Sequence, residues 1–583
     1  MSQHQDVFSR RRVRWANRWH ARRAARARPA TGFVSQPEPR TIGSYARGKQ
    51  LVAGNFLFAG HHIADAEASI WQIDAPSSGF AEELQGFTWL DDLASLGDHE
   101  ARKRAQAWLS GWIDMYGKGT GPGWTPDLTG RRLIRWINHA LFLMSGQEGD
   151  DSFNFFRSLG QQTIFLSKRW QASAPGLPRF EALTGLIYAG LSLTGMEEHV
   201  TPAMQALARE CDEQIDGEGG IPTRNPEELL EVFTLLNWAA SALSEGGRMA
   251  AAEHLAAIER IAPTLRALRH ADGGLARFHG GGRGLEGRLD HALATSGVRA
   301  TANLGLSMGY ARLSAGRTSI IMDAAAPPAG LASANAHAST LAIEVTSGRR
   351  PLLVNCGSGA QFGEEWRKAG RATPSHSTLG LAGLSSARLG PVTQSGGQER
   401  SLIIDAPKDV RIQQITEDGL AGYVAGHDGY LRSHGLTHIR RIELTVDGRD
   451  IRGEDTVAAI GEAEQAAFSR ALDRVKLQGV PFKIHFHLHP DVDAELDLGG
   501  TAVSLALKSG EIWVFRFEGV GELTLENSVY LEKNRLKPRA TKQMVLSGAA
   551  MDYATRIRWS LAKAQDTPSA IRDLEREDPA GLP

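Results

Sequence analysis

Five stretches of this 583-residue chain carry residue types that could do chemistry. In Arg371-Ala372-Thr373-Pro374-Ser375-His376-Ser377-Thr378-Leu379, a histidine follows a proline-bearing loop and opens a strand. Such a ring can project into a cleft, and neutral imidazole moves a proton near pH 7. The plainer alternative is a hydrogen-bonded structural histidine. Gly426-His427-Asp428-Gly429-Tyr430, followed by His434 and His438, gathers an imidazole, a carboxylate and a phenol, or is a turn beside an ordinary strand tyrosine. His485, His487 and His489 alternate, so on a strand three imidazoles share one face. That row is a candidate surface for a divalent metal, although no acid or cysteine stands at tight ligand spacing.

Between Trp124 and Trp136, indoles flank Arg131, Arg132 and Arg135. Indoles stack on sugar faces and guanidinium groups pair with carboxylate or sulfate. The alternative is a tryptophan-rich helical core with arginines on its outer face. Gly217-Glu218-Gly219-Gly220-Ile221-Pro222-Thr223-Arg224-Asn225-Pro226 is a loop that enters a helix. Free N–H groups there favour an anion, Arg224 adds a fixed charge, and Asn225 has a structural role as cap. Asp272 and Asp290 are the candidates for a hydrolytic carboxylate pair. No Walker loop, dinucleotide fingerprint, paired CxxC or G-x-S-x-G elbow is present.

The elements that must position these groups fall into two regimes. From about Asp91 to Leu313 apolar residues recur at helical spacing, as in Leu229, Leu230, Val232, Phe233, Leu236, Ala240 and Leu243. Asn225-Pro226-Glu227-Glu228 is a helix start, with cap, first-turn proline and acid. Repeated helical hairpins predict a toroid or solenoid. Beyond about Arg317 the spacing becomes two, as in Leu341, Ile343 and Val345 or Val503, Leu505 and Leu507, with glycine turns between runs. That pattern predicts an antiparallel sandwich.

Composition excludes several classes. A net charge of -1, with 42% hydrophobic and 22% charged residues, is ordinary for globular domains and rules out a chain that is disordered or polybasic throughout. Cys211 and Cys356 are too few for a disulfide scaffold. No run approaches the ~18 apolar residues of a membrane-spanning helix. The first thirty residues hold nine arginines, from Arg10 to Arg28, against Asp6 alone. They read as an arm for an anionic surface or as a solvated leader. No apolar run follows before Leu51, so no cleavable signal is expected. Thr567 to Pro583 read as a frayed tail.

In order, several of these pieces resemble the heparinase II/III family of polysaccharide lyases over roughly residues 90–550. The carrying motifs are Trp124–Trp136, Gly219-Gly220-Ile221-Pro222-Thr223-Arg224-Asn225-Pro226, Leu353-Val354-Asn355-Cys356-Gly357, Arg371-Ala372-Thr373 through His376-Ser377-Thr378-Leu379, His427-Asp428-Gly429-Tyr430, and Phe486-His487-Leu488-His489-Pro490. The resemblance implies an incomplete α/α toroid followed by an antiparallel β-sandwich, with a cleft between them. It also implies β-elimination at a uronic acid: the carboxylate is neutralised, a base removes the adjacent carbon-bound hydrogen, and an acid protonates the leaving oxygen. His376 matches the family's sandwich histidine. Two departures stand out. The family's helix asparagine is missing from Ala174-Pro175-Gly176-Leu177-Pro178-Arg179-Phe180, and its tyrosine is missing after Arg224-Asn225-Pro226-Glu227-Glu228.

The expectations are therefore a basic arm over 1–45, a toroid over 46–315, a sandwich over 316–550 and a tail over 551–583. His376, Arg224, Asn225, His427 and Tyr430 are the catalytic candidates. Trp124, Arg132, Trp136 and Arg371 are the sugar-binding candidates. The expected partner is an acidic polysaccharide, with an anionic surface for the arm. The resemblance implies the periplasm or cell envelope. A non-catalytic glycan-binding or envelope-assembly protein on the same scaffold is the alternative.

Overall fold

The computed structural model describes residues 2–564, apart from 28–29, 36–37, 66–68, 148, 301–304, 396–397, 418 and 534. The predicted tail from Thr567 to Pro583 lies outside the described residues, as does Arg28 of the arm.

The helical half is a curved wall of paired helices. Its inner course includes Pro126–Asn138, Leu177–Ser192 and Pro226–Glu245, packed in that order. Two glycines set the closeness of the first pair. A Cβ on Gly185 would stand 2.5 Å from the Gly130 Cα, so the backbones touch where any side chain would wedge them apart. Trp108, Trp112, Trp124 and Trp136 fill the core behind this wall. The arm is a helix, Ser2–Ala24, seated on Asp150–Arg169 through buried Asn17, Ala21 and Ala24. Arg169 donates to the Asn17 side chain at 2.7 Å. The arm is thus docked on the toroid. None of its described arginines pairs with a carboxylate among the described residues.

The second half is a sandwich of two eight-stranded antiparallel sheets. The first sheet runs Glu522–Tyr530, Arg539–Ala550, Val480–Leu488, Arg350–Val354, Ile343–Ser347, Thr318–Asp323 and Tyr310–Ala315, with Leu379–Leu381 paired to Val480–Leu488. The second contains Leu420–Tyr430, Leu436–Thr445, Asp450–Ala458 and Ala554–Lys563 among its strands. That last strand is central, so the sandwich runs past the expected end at 550, and it begins at Tyr310, before the expected 316.

The first sheet is the middle layer of the molecule. In Thr318–Asp323 and Ile343–Ser347 every residue is buried. Ile320, Met322, Ile343 and Val345 face the sandwich core. Tyr310, Ile321 and Ala342 belong instead to the toroid core. Strands buried on both faces place their polar residues, Ser319, Asp323, Glu344 and Thr346, against the helical half. No helix among the described residues is long and apolar enough to cross a membrane.

Candidate functional site

The junction is organised by Arg224 and Asp323. Arg224 sits at the loop-to-helix corner with φ 50°, a left-handed conformation that costs a non-glycine residue about 1 kcal/mol or more. The corner aims its guanidinium across to the first sheet. Nε donates to Met308 O at 3.0 Å, Nη1 to Ala325 O at 3.3 Å and Ala326 O at 2.8 Å, and Nη2 to Gly309 O at 3.0 Å and Asp323 Oδ1 at 2.6 Å. Tyr310 donates its hydroxyl to Arg224 O at 2.6 Å. Burial would raise the Asp323 carboxyl, but Arg224, His279 and Ser339 together carry it well below the usual range.

From Asp323 a file of buried imidazoles leads inward. His279 Nε2 lies 3.4 Å from Asp323 Oδ2, and His279 Nδ1 accepts the His337 N–H at 3.1 Å. Acceptance at Nδ1 puts the ring proton on Nε2, facing the carboxylate. The His337 ring is centred 6.3 Å from His279 and 5.1 Å from His376. His376 is 0% exposed, and neither of its ring nitrogens has a hydrogen-bond partner among the described residues. Burial, then the neighbouring His487 and His279, lowers its pKa to about 3. His376 is therefore a neutral base at the toroid–sandwich junction, linked to the Arg224 loop through three side chains and closed to solvent.

The other predicted residues have structural partners. Asn225 accepts the N–H groups of Glu227 and Glu228 at 3.0 and 3.2 Å, the capping role its position predicts. Arg371 is buried and spends its guanidinium on the carbonyls of Ala336, Ser401 and Ser333, at 2.8, 2.7 and 2.8 Å. It holds the segment carrying His337 rather than meeting a sugar. His427 faces His438 at 3.3 Å, which in turn contacts Asp455 at 2.7 Å. Tyr430 lies in the sandwich core and donates to Leu379 O at 2.8 Å. This pair lies inside the sandwich, because Leu420–Tyr430 is a full strand where a turn was an open reading.

The sugar-binding expectation for Trp124, Arg132 and Trp136 is corrected. All three are buried in the toroid core, with Arg132 and Trp136 at 0% exposure. Arg132 donates to Gln162, Gln85 O, Gly123 O and Thr129, and its guanidinium stacks over Trp112 at 4.3 Å. The helix Pro126–Asn138 is buried on nearly every side, so its arginine points inward. The metal row is also corrected. His485 and His487 stack in parallel with centres 5.9 Å apart, but His485 bonds Gln543, His487 bonds Ser528 and Pro374 O, and His489 packs on Tyr530. Among the described residues no group of three His, Cys, Asp or Glu could hold a metal ion. Asp272 pairs with Arg283, and Asp290 with Arg269 at the surface, so neither is a free hydrolytic acid.

Residues outside the predicted set matter more. His279, His337 and Asp323 build the file, and contacts across such sequence separations leave no local pattern. Near the missing asparagine and tyrosine the chain carries Glu181 and Glu228. Glu181 pairs with Arg131 at 2.5 Å. Burial raises both carboxyls, Glu228 to about 7, and Glu181 adds to the rise at Glu228. Acids one turn into two neighbouring inner helices were the available signal.

The toroid and the sandwich meet across a histidine-bearing junction, and this is the fold of solved heparinase III structures. Residues 298–560 match the family model "Heparinase II/III-like, C-terminal". A crystal structure of heparinase III has a TM-score of 0.67 and 13% identity, covering 93% of this chain and 88% of that one. The heparan sulfate lyase HepC from Pedobacter heparinus has a TM-score of 0.55 and 13% identity, covering 95% and 89%. At such identities the likeness is one of fold. FtsZ-localized protein C of Caulobacter vibrioides (strain NA1000 / CB15N) is 29% identical over 559 residues, spanning 94% of this chain and 92% of that protein.

Proposed function

We propose that this chain is a non-catalytic envelope-assembly protein on a polysaccharide-lyase scaffold, which binds an acidic partner without cleaving it. The observation that carries this reading is the closure of the junction. His376 is 0% exposed, and every donor of Arg224 that could neutralise a uronate is already spent inside the protein. Electrostatics support it further. β-Elimination needs positive or hydrogen-donating groups beside the substrate carboxylate. Near the positions where asparagine and tyrosine are missing stand instead two carboxyls, Glu181, held by Arg131, and Glu228, both raised by burial, and neither is a positive group. The name of the Caulobacter relative associates that protein with FtsZ, and we extend a division-site role to this chain. The docked arm is the proposed contact with an anionic surface. Trp15 and Trp19 are 67% and 44% exposed beside its arginines, an arrangement suited to a charged interface.

A uronate lyase is the second reading, favoured by the two ring nitrogens of His376, which have no hydrogen-bond partner among the described residues. The deciding experiment incubates the chain with glycosaminoglycans, alginate and bacterial exopolysaccharides. Ultraviolet absorbance of unsaturated uronate and glycan binding are measured together. Binding without the chromophore, unchanged in His376→Ala, supports the first reading; a chromophore lost in His376→Ala supports the second.

A further inference from the structure

Away from the histidine file, two hairpin turns of the first sheet lie side by side. Gly316-Arg317 joins Tyr310–Ala315 to Thr318–Asp323, and Gly348-Arg349 joins Ile343–Ser347 to Arg350–Val354. Their inner strands pair at Thr318 and Ser347, and Gly348 N–H donates to Arg317 O at 2.6 Å. Each glycine has a positive φ, 53° and 57°, so each two-residue turn is tight and presents an arginine at its second position. The Arg317 side chain crosses Gly348, where a Cβ would stand 2.4 Å from its Nη2.

These turns edge a groove of about 470 Å³ against the helical half. Arg312, Arg317 and Arg349 line it with Ser314, Thr318 and Ser319, and no carboxylate is among its lining residues. Arg312 is pinned from the toroid side. Its Nη1 donates to Ala267 O at 3.0 Å and Arg269 O at 2.6 Å, and its Nε to Ser314 at 2.9 Å. Nη2 has no partner among the described residues, and burial lowers the pKa of this cation with no acid to offset it. Arg349 is exposed and pairs with no carboxylate among the described residues. The acid of the adjacent turn, Asp447, is turned away onto Thr445 and the Arg449 N–H. The groove contains none of the nine candidate residues for lyase chemistry.

We propose that this groove is a binding site for a tetrahedral oxyanion, phosphate or sulfate, either free or carried on a small sugar. Planar guanidinium forks match such oxygens in pairs, and the exposed Ser314 hydroxyl adds a donor, while Thr318 and Ser319 bond Gly448 O and Thr346. Arg312, desolvated with no acid beside it, and the exposed Arg349 gain most from a doubly charged ligand.

The test is equilibrium dialysis of the full chain with labelled inorganic phosphate and sulfate, at constant ionic strength set with chloride. Saturable binding at one site is expected, weakened by about tenfold or more in Arg349→Glu. Arg349 is exposed, so that variant should keep its unfolding midpoint in chloride. A second arm compares a sulfated disaccharide with its unsulfated parent. Tighter binding than free sulfate marks a sugar-borne anion, and equal binding marks the free ion. Non-saturable uptake, or equal affinity in Arg349→Glu and the parent chain, overturns the proposal.

Discussion

Arg224 cannot be replaced by a shorter side chain without stranding a charge. It neutralises Asp323, which is 0% exposed, and removing one partner of a buried pair costs about 3–5 kcal/mol. Arg224→Ala is therefore expected to lose stability of that order by urea denaturation. His376 makes a different prediction. Its folded pKa of about 3 lies below the ordinary 6.5, so the unfolded chain takes up this proton first as pH falls. Stability from this group is full above about 6.5 and drains away towards pH 3, at most ~1.4 kcal/mol per pH unit. His376→Gln should therefore become relatively more stable against the parent as denaturation is moved from pH 7 to pH 4.5; a constant gap would remove the buried neutral imidazole. The positions of His376 and of the Arg224–Asn225 loop were legible because each follows a local turn signal. His279 and His337 were not, because a ring's role here comes from neighbours distant in sequence.

Helix against helix, the backbone approach at Gly130 and Gly185 is the tightest requirement of the inner wall. Gly185→Ala puts a methyl against the facing Cα and should cost about 1–3 kcal/mol, read as a lower unfolding midpoint, despite alanine's better helix propensity. The arm helix tests at the same scale. Arg14→Glu with Arg18→Glu should weaken sedimentation with anionic vesicles by more than about tenfold, at ~1 kcal/mol per charge, and leave the toroid's folding unchanged, because both residues are exposed. The change of apolar period from helical to alternating made both element types readable. Burial on two sides was less readable. In Pro126–Asn138 it turned Arg132 inward, and in Thr318–Asp323 it made the first sheet a middle layer.

At the scale of the whole molecule, the toroid core takes in Tyr310, Ile321 and Ala342, so the two halves share one wall. A fold shared with heparinase III at 13% identity leaves its chemistry to be set by the junction, and here the junction is filled. The seal on His376 is open to direct measurement by diethyl pyrocarbonate labelling at pH 7, followed by mass spectrometry. The exposed His61 and His62 serve as internal standards on the native chain. The account predicts that His376 stays unlabelled while the two standards react, and that it labels only after unfolding. Labelling of His376 at the rate of His61 in the folded chain would mean an accessible base at the junction and would contradict the non-catalytic reading.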